Sequence, residues 1–126
     1  MAAALWMLIW MLAARLAIAQ TPPEEDKSLA TPVFSFNPVQ SDVEIAIGDQ
    51  YFSKGNYTAA LSRYDAATKW NDGNATAWLR LGAAQEKKSA PNAARAAYEK
   101  YLEIAPTGRY AADVRKRLAK LKASAR

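Results

Sequence analysis

Apolar and polar positions divide the chain into three stretches of different rhythm. From Ala2 to Ala14 no residue is charged and most are apolar, reading AAALWMLIWMLAA. Residues 20–41 hold four of the six prolines. Proline removes backbone donors and holds its predecessor extended, so this stretch is expected to be a linker without a fold of its own. Beyond it apolar positions recur at helical spacing, at Ile47 and Tyr51 and then at Ala60, Leu61, Tyr64 and Ala67. The rhythm predicts helices paired through short turns at Lys54-Gly55-Asn56-Tyr57 and Lys88-Ser89-Ala90-Pro91-Asn92. A last helix, Arg109 to Lys122, is expected to set Tyr110, Val114, Leu118 and Leu121 on one face. The fold class is all-α.

Displaced by 34 residues, the chain matches itself: Ile47 falls on Leu81, Gly48 on Gly82, Ala60 on Ala94, Tyr64 on Tyr98 and Asp72 on Pro106. A fixed period of this size marks stacked helix-turn-helix units. The second unit reads Trp78-x2-Leu81-Gly82, then Ala94-x3-Tyr98, then Pro106. It resembles the tetratricopeptide repeat, with Gln85 where the family pattern has tyrosine. The first unit carries Ile47-Gly48-x2-Tyr51 and Ala60-x3-Tyr64, with Glu44 for the pattern's tryptophan and Asp72 for its proline. Small residues at 48, 60, 82 and 94 let the helices of a unit approach, and Tyr64 and Tyr98 fill space towards the next unit.

The resemblance implies an α-solenoid of two units, about 41–74 and 75–108, within a domain spanning 42–122. The helix after Pro106 leaves the 34-residue register and reads as a C-terminal cap, followed by a tail at 123–126. Its approach, Pro106-x3-Tyr110-Ala111-x2-Val114-x3-Leu118, is similar to junctions in bacterial envelope proteins of this family. Two units and a cap fall below the roughly three repeats usual for independent stability. Another molecule, a second copy or a protein partner, is therefore expected to cover an end of the stack.

The leader sets the expected compartment. Ala17 and Ala19 form the small-x-small pattern of a signal-peptidase site, which predicts a mature start at Gln20. The apolar run is short against the roughly 20 residues that span a bilayer. Arg15, between the run and the cleavage site, keeps the alternative open of an uncleaved anchor in residues 1–19. Either way the remainder is expected outside the cytoplasmic membrane, periplasmic or secreted in the first case and tethered to the inner membrane in the second. In the linker, Val33, Phe34 and Phe36 form an apolar patch, read either as a docking segment or as transient collapse.

Composition narrows the chemistry. With no Cys and no His among 126 residues, the chain has no thiolate nucleophile, disulfide, imidazole base or Cys/His zinc site. No cofactor or metal is expected, and catalysis by Asp42, Glu44 and Asp49 alone lacks any feature that would raise a carboxyl pKa. A non-enzymatic adaptor is the expectation.

In the family, the first helix of each unit lines a concave face that binds partner segments. Carried across, this implies a groove of Asp49, Phe52, Ser53, Leu79, Arg80, Ala83, Glu86 and Lys87, with Phe52 and Leu79 as apolar anchors and Arg80 and Lys87 for a carboxylate. The opposing reading is that its charged members are a solvated face.

The formal charge of +5 is unevenly spread, with −4 over residues 20–74, +2 over 75–108 and +6 over 109–126. Arg109, Arg115, Lys116, Arg117, Lys120 and Lys122 make a basic patch. It reads as a solvated cap favouring the helix dipole, or as a surface for anionic lipid or an acidic envelope protein. Nucleic acid is not expected as a partner, because export separates the chain from it and only Tyr110 interleaves the cations. Asn56 and Asn74 satisfy glycosylation sequons, yet their places before helices favour turns and caps in a bacterial protein.

Overall fold

The computed structural model describes residues 33–125. The leader and residues 20–32 of the linker lie outside the described residues. Five helices follow in order: α1 Pro38–Ser53, α2 Tyr57–Trp70, α3 Ala75–Lys87, α4 Pro91–Ile104 and α5 Ala111–Ser124. The first unit is α1 and α2, the second α3 and α4, and α5 is the cap.

Four of the five helix starts have a local cause. Asn37, Asn56 and Asn74 cap α1, α2 and α3, their side-chain oxygens accepting backbone N–H bonds from Gln40 (3.0 Å), Ala59 (3.2 Å) and Ala77 (3.4 Å). Proline at the first position of α1 and α4 costs nothing, because the N–H it lacks has no partner there. α1 thus begins at Pro38, inside the stretch read from sequence as linker. The turns also repeat: Gly55 (φ 76°) and Ser89 (φ 55°), 34 residues apart, are both left-handed. Glycine takes that conformation freely, whereas serine is strained in it.

Within a unit the helices meet through a glycine and a tyrosine. A Cβ on Gly48 would stand 2.5 Å from Tyr64 Cε1, and one on Gly82 2.6 Å from Tyr98 Cε1. The rings, rather than only the neighbouring alanines, make small residues obligatory here. Tyr64 also packs forward with Ala77, Leu81 and Ala84 in a first core cluster, as expected of a residue facing the next unit. The second cluster joins Leu79, Tyr98 and Tyr101 to Ala111, Val114 and Leu118 of the cap. Trp78 packs against both clusters, and its indole N–H donates to the Asp72 carbonyl at 2.7 Å. Tyr110, expected on the buried face of the last helix, precedes α5 and is 44% exposed; Ala111 takes the buried place.

Two polar ties join α1 to the elements after it. Ser41 Oγ donates to the Ala67 carbonyl at 2.9 Å, and the Asn74 amide donates to Ser41 Oγ and Asp42 Oδ1, both at 3.0 Å. Of the linker's apolar patch, Phe34 stacks edge-on against Trp70 at 4.9 Å, while Val33 and Phe36 stay exposed at 88% and 77%. Asn37 N–H donates to the Trp70 carbonyl at 2.8 Å and fixes that arrangement.

Candidate functional site: the concave groove

The helices α1, α3 and α5 present two clefts. One, of about 230 Å³, is lined by Asp49, Phe52, Ser53, Tyr64, Arg80 and Ala83. The other, of about 160 Å³, is lined by Leu79, Arg80, Ala83, Tyr98, Tyr110, Asp113 and Arg117. Arg80 and Ala83 belong to both, so the clefts form one groove running from α1 to α5.

The same polar device appears in each unit. Tyr64 donates its hydroxyl to Asp49 Oδ1 at 2.6 Å, and Arg80 of the next helix reaches the same oxygen at 3.0 Å. In the second unit Arg117 Nη1 lies 3.5 Å from Glu86 Oε1 and donates to the Tyr98 hydroxyl at 3.4 Å. Arg117 Nε also pairs with Asp113 at 2.9 Å. The tyrosines keep the 34-residue offset, while Glu86 and Arg117 stand 37 residues after Asp49 and Arg80, one helical turn further on.

Burial first, then the hydrogen bond to Asp49, holds the Tyr64 phenol well above its ordinary pKa. Burial and then Glu86 act likewise on Tyr98. The bond to Asp113 holds Arg117 firmly protonated. The two phenols and the Arg117 guanidinium therefore stay protonated at neutral pH.

Of the residues expected in the groove, Asp49, Phe52, Ser53, Arg80 and Ala83 line the first cleft together. Phe52 is half-buried, its ring edge-on to Tyr57 at 5.1 Å. Leu79 reaches the second cleft but is only 8% exposed, because the phase of α3 turns it into the second core cluster. Glu86 is tied to Arg117, and Lys87 sits over the Tyr57 ring at 6.0 Å, outside both clefts. The cations expected to take a carboxylate are thus engaged, Arg80 with Asp49 and Lys87 with an aromatic face.

The basic patch divides. Arg117 belongs to the groove, Arg115 donates to the Pro106 carbonyl at 2.6 Å, and Arg109 stacks on Tyr110 at 5.5 Å. Lys116, Lys120 and Lys122 are exposed and make no ion pair among the described residues. Sequence reasoning missed Tyr64, Tyr98, Tyr110 and Asp113 as groove residues. The tyrosines were assigned to packing by their rings, and nothing in the spacing foretells where a hydroxyl ends. Tyr110 is presented by the loop before α5, where its N–H donates to the Tyr101 hydroxyl at 3.2 Å.

Paired antiparallel helices, a glycine under each tyrosine ring and a groove along the first helices define a helical-repeat binding module. The sequence profile of the tetratricopeptide repeat matches residues 45–109, more than half of the 126-residue chain, and the chain belongs to that family. No curated protein matches it. Tetratricopeptide repeats mediate protein–protein interaction, and the family is typically a non-catalytic scaffold. Among the described residues no helix is long and apolar enough to cross a membrane.

Proposed function

We propose that this chain is an exported, non-enzymatic adaptor whose groove holds a segment of another cell-envelope protein. The observation that carries the reading is the continuity of the two clefts through Arg80 and Ala83, with Phe52 at one end and Tyr110 at the other. Two aromatic rings at separate points supply apolar area for affinity. The paired charges between them, Asp49 with Arg80 and Glu86 with Arg117, supply donors and acceptors without a strong net field. Steering comes from outside the groove, where Lys116, Lys120 and Lys122 favour encounter with an acidic protein or an anionic membrane surface.

Export rests on the leader, with cleavage after Ala19 giving a periplasmic or secreted protein of bacterial origin. Arg15, between the apolar run and that site, favours a second reading. In it the leader is retained, and the chain is a membrane-tethered, non-catalytic subunit of an inner-membrane complex.

A photo-crosslinking residue placed at position 52 of the full chain, expressed in a bacterial envelope, tests the groove. Its control is the same residue at position 99, exposed on α4 and outside both clefts. A protein adduct from 52 and none from 99 is expected; equal adducts from both, or none from either, would overturn the groove. The intact mass of the recovered chain separates a start at Gln20 from one at Met1.

A further inference from the structure

The connections into α3 and α5 are fastened differently. Four residues separate Trp70 from Ala75, and six separate Ile104 from Ala111. In the first connection Asn74 caps α3, and its amide also reaches Ser41 and Asp42. At the 34-residue offset Gly108 stands where Asn74 does, and Tyr101 stands where Ala67 does. The side chain that fastens the first connection is therefore missing from the second, while the helix before it has exchanged a methyl group for a phenol.

The two exchanges fit each other. The Tyr101 ring is buried in the second core cluster, and its hydroxyl accepts the Tyr110 N–H at 3.2 Å. A Cβ on Gly108 would stand 2.8 Å from that hydroxyl and 3.0 Å from the Ala105 Cβ, so the hydroxyl reaches the loop only past a glycine. The loop is also tied to itself and to α5. Gly108 N–H donates to the Ala105 carbonyl at 3.1 Å, Ala111 N–H to the Gly108 carbonyl at 3.0 Å, and Arg115 to the Pro106 carbonyl. Tyr110 spends no side-chain bond on capping α5. Its ring is partly exposed and lines the second cleft with Tyr98, Asp113 and Arg117.

We propose that Tyr101 and Gly108 are positioning residues, which set the Tyr110 ring in the groove as its second aromatic contact for a partner segment. This role rests on the reading of the groove as a partner site. The N–H groups at a helix start have no acceptor within the helix, and the Tyr101 hydroxyl supplies one at the residue whose ring faces the cleft. Ordering a loop costs conformational entropy, and a loop held beforehand loses less of it when a partner binds. The bond is made to the backbone of Tyr110, which leaves the ring and its own hydroxyl for the partner. The first unit, with Ala67 and Asn74 at these places, fastens its shorter connection without presenting a ring.

Two measurements on the full chain test this role, amide hydrogen exchange at Tyr110 and the yield of the partner adduct from a crosslinking residue at position 52. Tyr101→Phe keeps the buried ring and removes only the hydroxyl. It is expected to speed Tyr110 exchange and to lower the adduct, each about fivefold, as loss of one net hydrogen bond implies. Gly108→Ala, which displaces the hydroxyl instead of removing it, should act in the same way. Tyr110→Ala should lower the adduct at least as far, and adding Tyr101→Phe to it should lower it no further. A hydroxyl that merely stabilised the fold would lower it again. Unchanged Tyr110 exchange in Tyr101→Phe, an adduct that this change leaves intact, or a further loss in the double variant would overturn the proposal and leave the groove standing. A native chain that forms no adduct from position 52 would instead sink the groove, and the positioning role with it.

Discussion

The ring of Tyr64 occupies the space that a side chain on Gly48 would need, with Cε1 2.5 Å from the position of a Cβ. Gly48→Ala gains roughly 1 kcal/mol of helix propensity but drives a methyl group into a fully buried ring. Overpacking of this kind costs about 1–3 kcal/mol, so net destabilisation is expected in urea unfolding. Truncating the ring as well, in Gly48→Ala with Tyr64→Ala, should cost clearly less than the two single changes added together, because the clash is gone. Strict additivity would mean that the ring and the glycine do not constrain each other.

Ser89 holds a left-handed conformation at φ 55° that its counterpart Gly55 adopts without strain. Ser89→Gly should therefore raise stability by about 1 kcal/mol. Gly55→Ala should lower it by a similar amount, for a purely backbone reason, since nothing lies within 4 Å of a Cβ at that position. Opposite shifts in melting temperature would establish the pair, and shifts of the same sign would refute it.

The buried phenols predict a loss of stability in alkali. Tyr64 and Tyr98 ionise in the folded chain only well above the ordinary value of 10.0. The folded state therefore binds more protons than the unfolded one above about pH 10, and stability falls as pH rises. Below that pH both states hold the phenol protonated and the contribution is complete. Tyr64→Phe and Tyr98→Phe should each flatten the decline between pH 9 and 11, read from urea midpoints at fixed salt. An unchanged slope in both variants would contradict the assignment.

Arg80 separates stability from binding. Its pair with Asp49 is partly exposed on both sides, at 43% and 42%, and such pairs contribute less than about 1 kcal/mol. Arg80→Ala should leave the urea midpoint nearly unchanged while reducing the adduct formed from position 52. Combining it with Phe52→Ala should abolish stable partner capture. A stability loss as large as that of a core substitution would recast Arg80 as structural.

The helices were legible in the sequence because two signals agree, the helical period of Ile47, Ala60 and Tyr64 and its return 34 residues later. Their ends were legible only where a cap names itself, as at Asn56 and Asn74. Asn37 caps α1 just as well, but the prolines around it read as linker, and proline at a first helical position looks the same in sequence as proline in a tether. Within the groove, the family resemblance pointed to Phe52, Arg80 and Ala83, which line one cleft together. It could not foresee that Arg80 would be held by Asp49, since that pair joins α1 of one unit to α3 of the next across 31 positions. Arg117 went to the patch on charge alone, although its helix turns it towards Glu86 and Tyr98.

Trp78 stands at the start of the second unit and packs against both core clusters. The boundary of the sequence duplication therefore runs through the middle of a shared wall. Detaching either unit would bare one side of the same indole, so neither can melt while the other keeps its full complement of contacts. What the sequence writes as two modules is expected to unfold as one cooperative block.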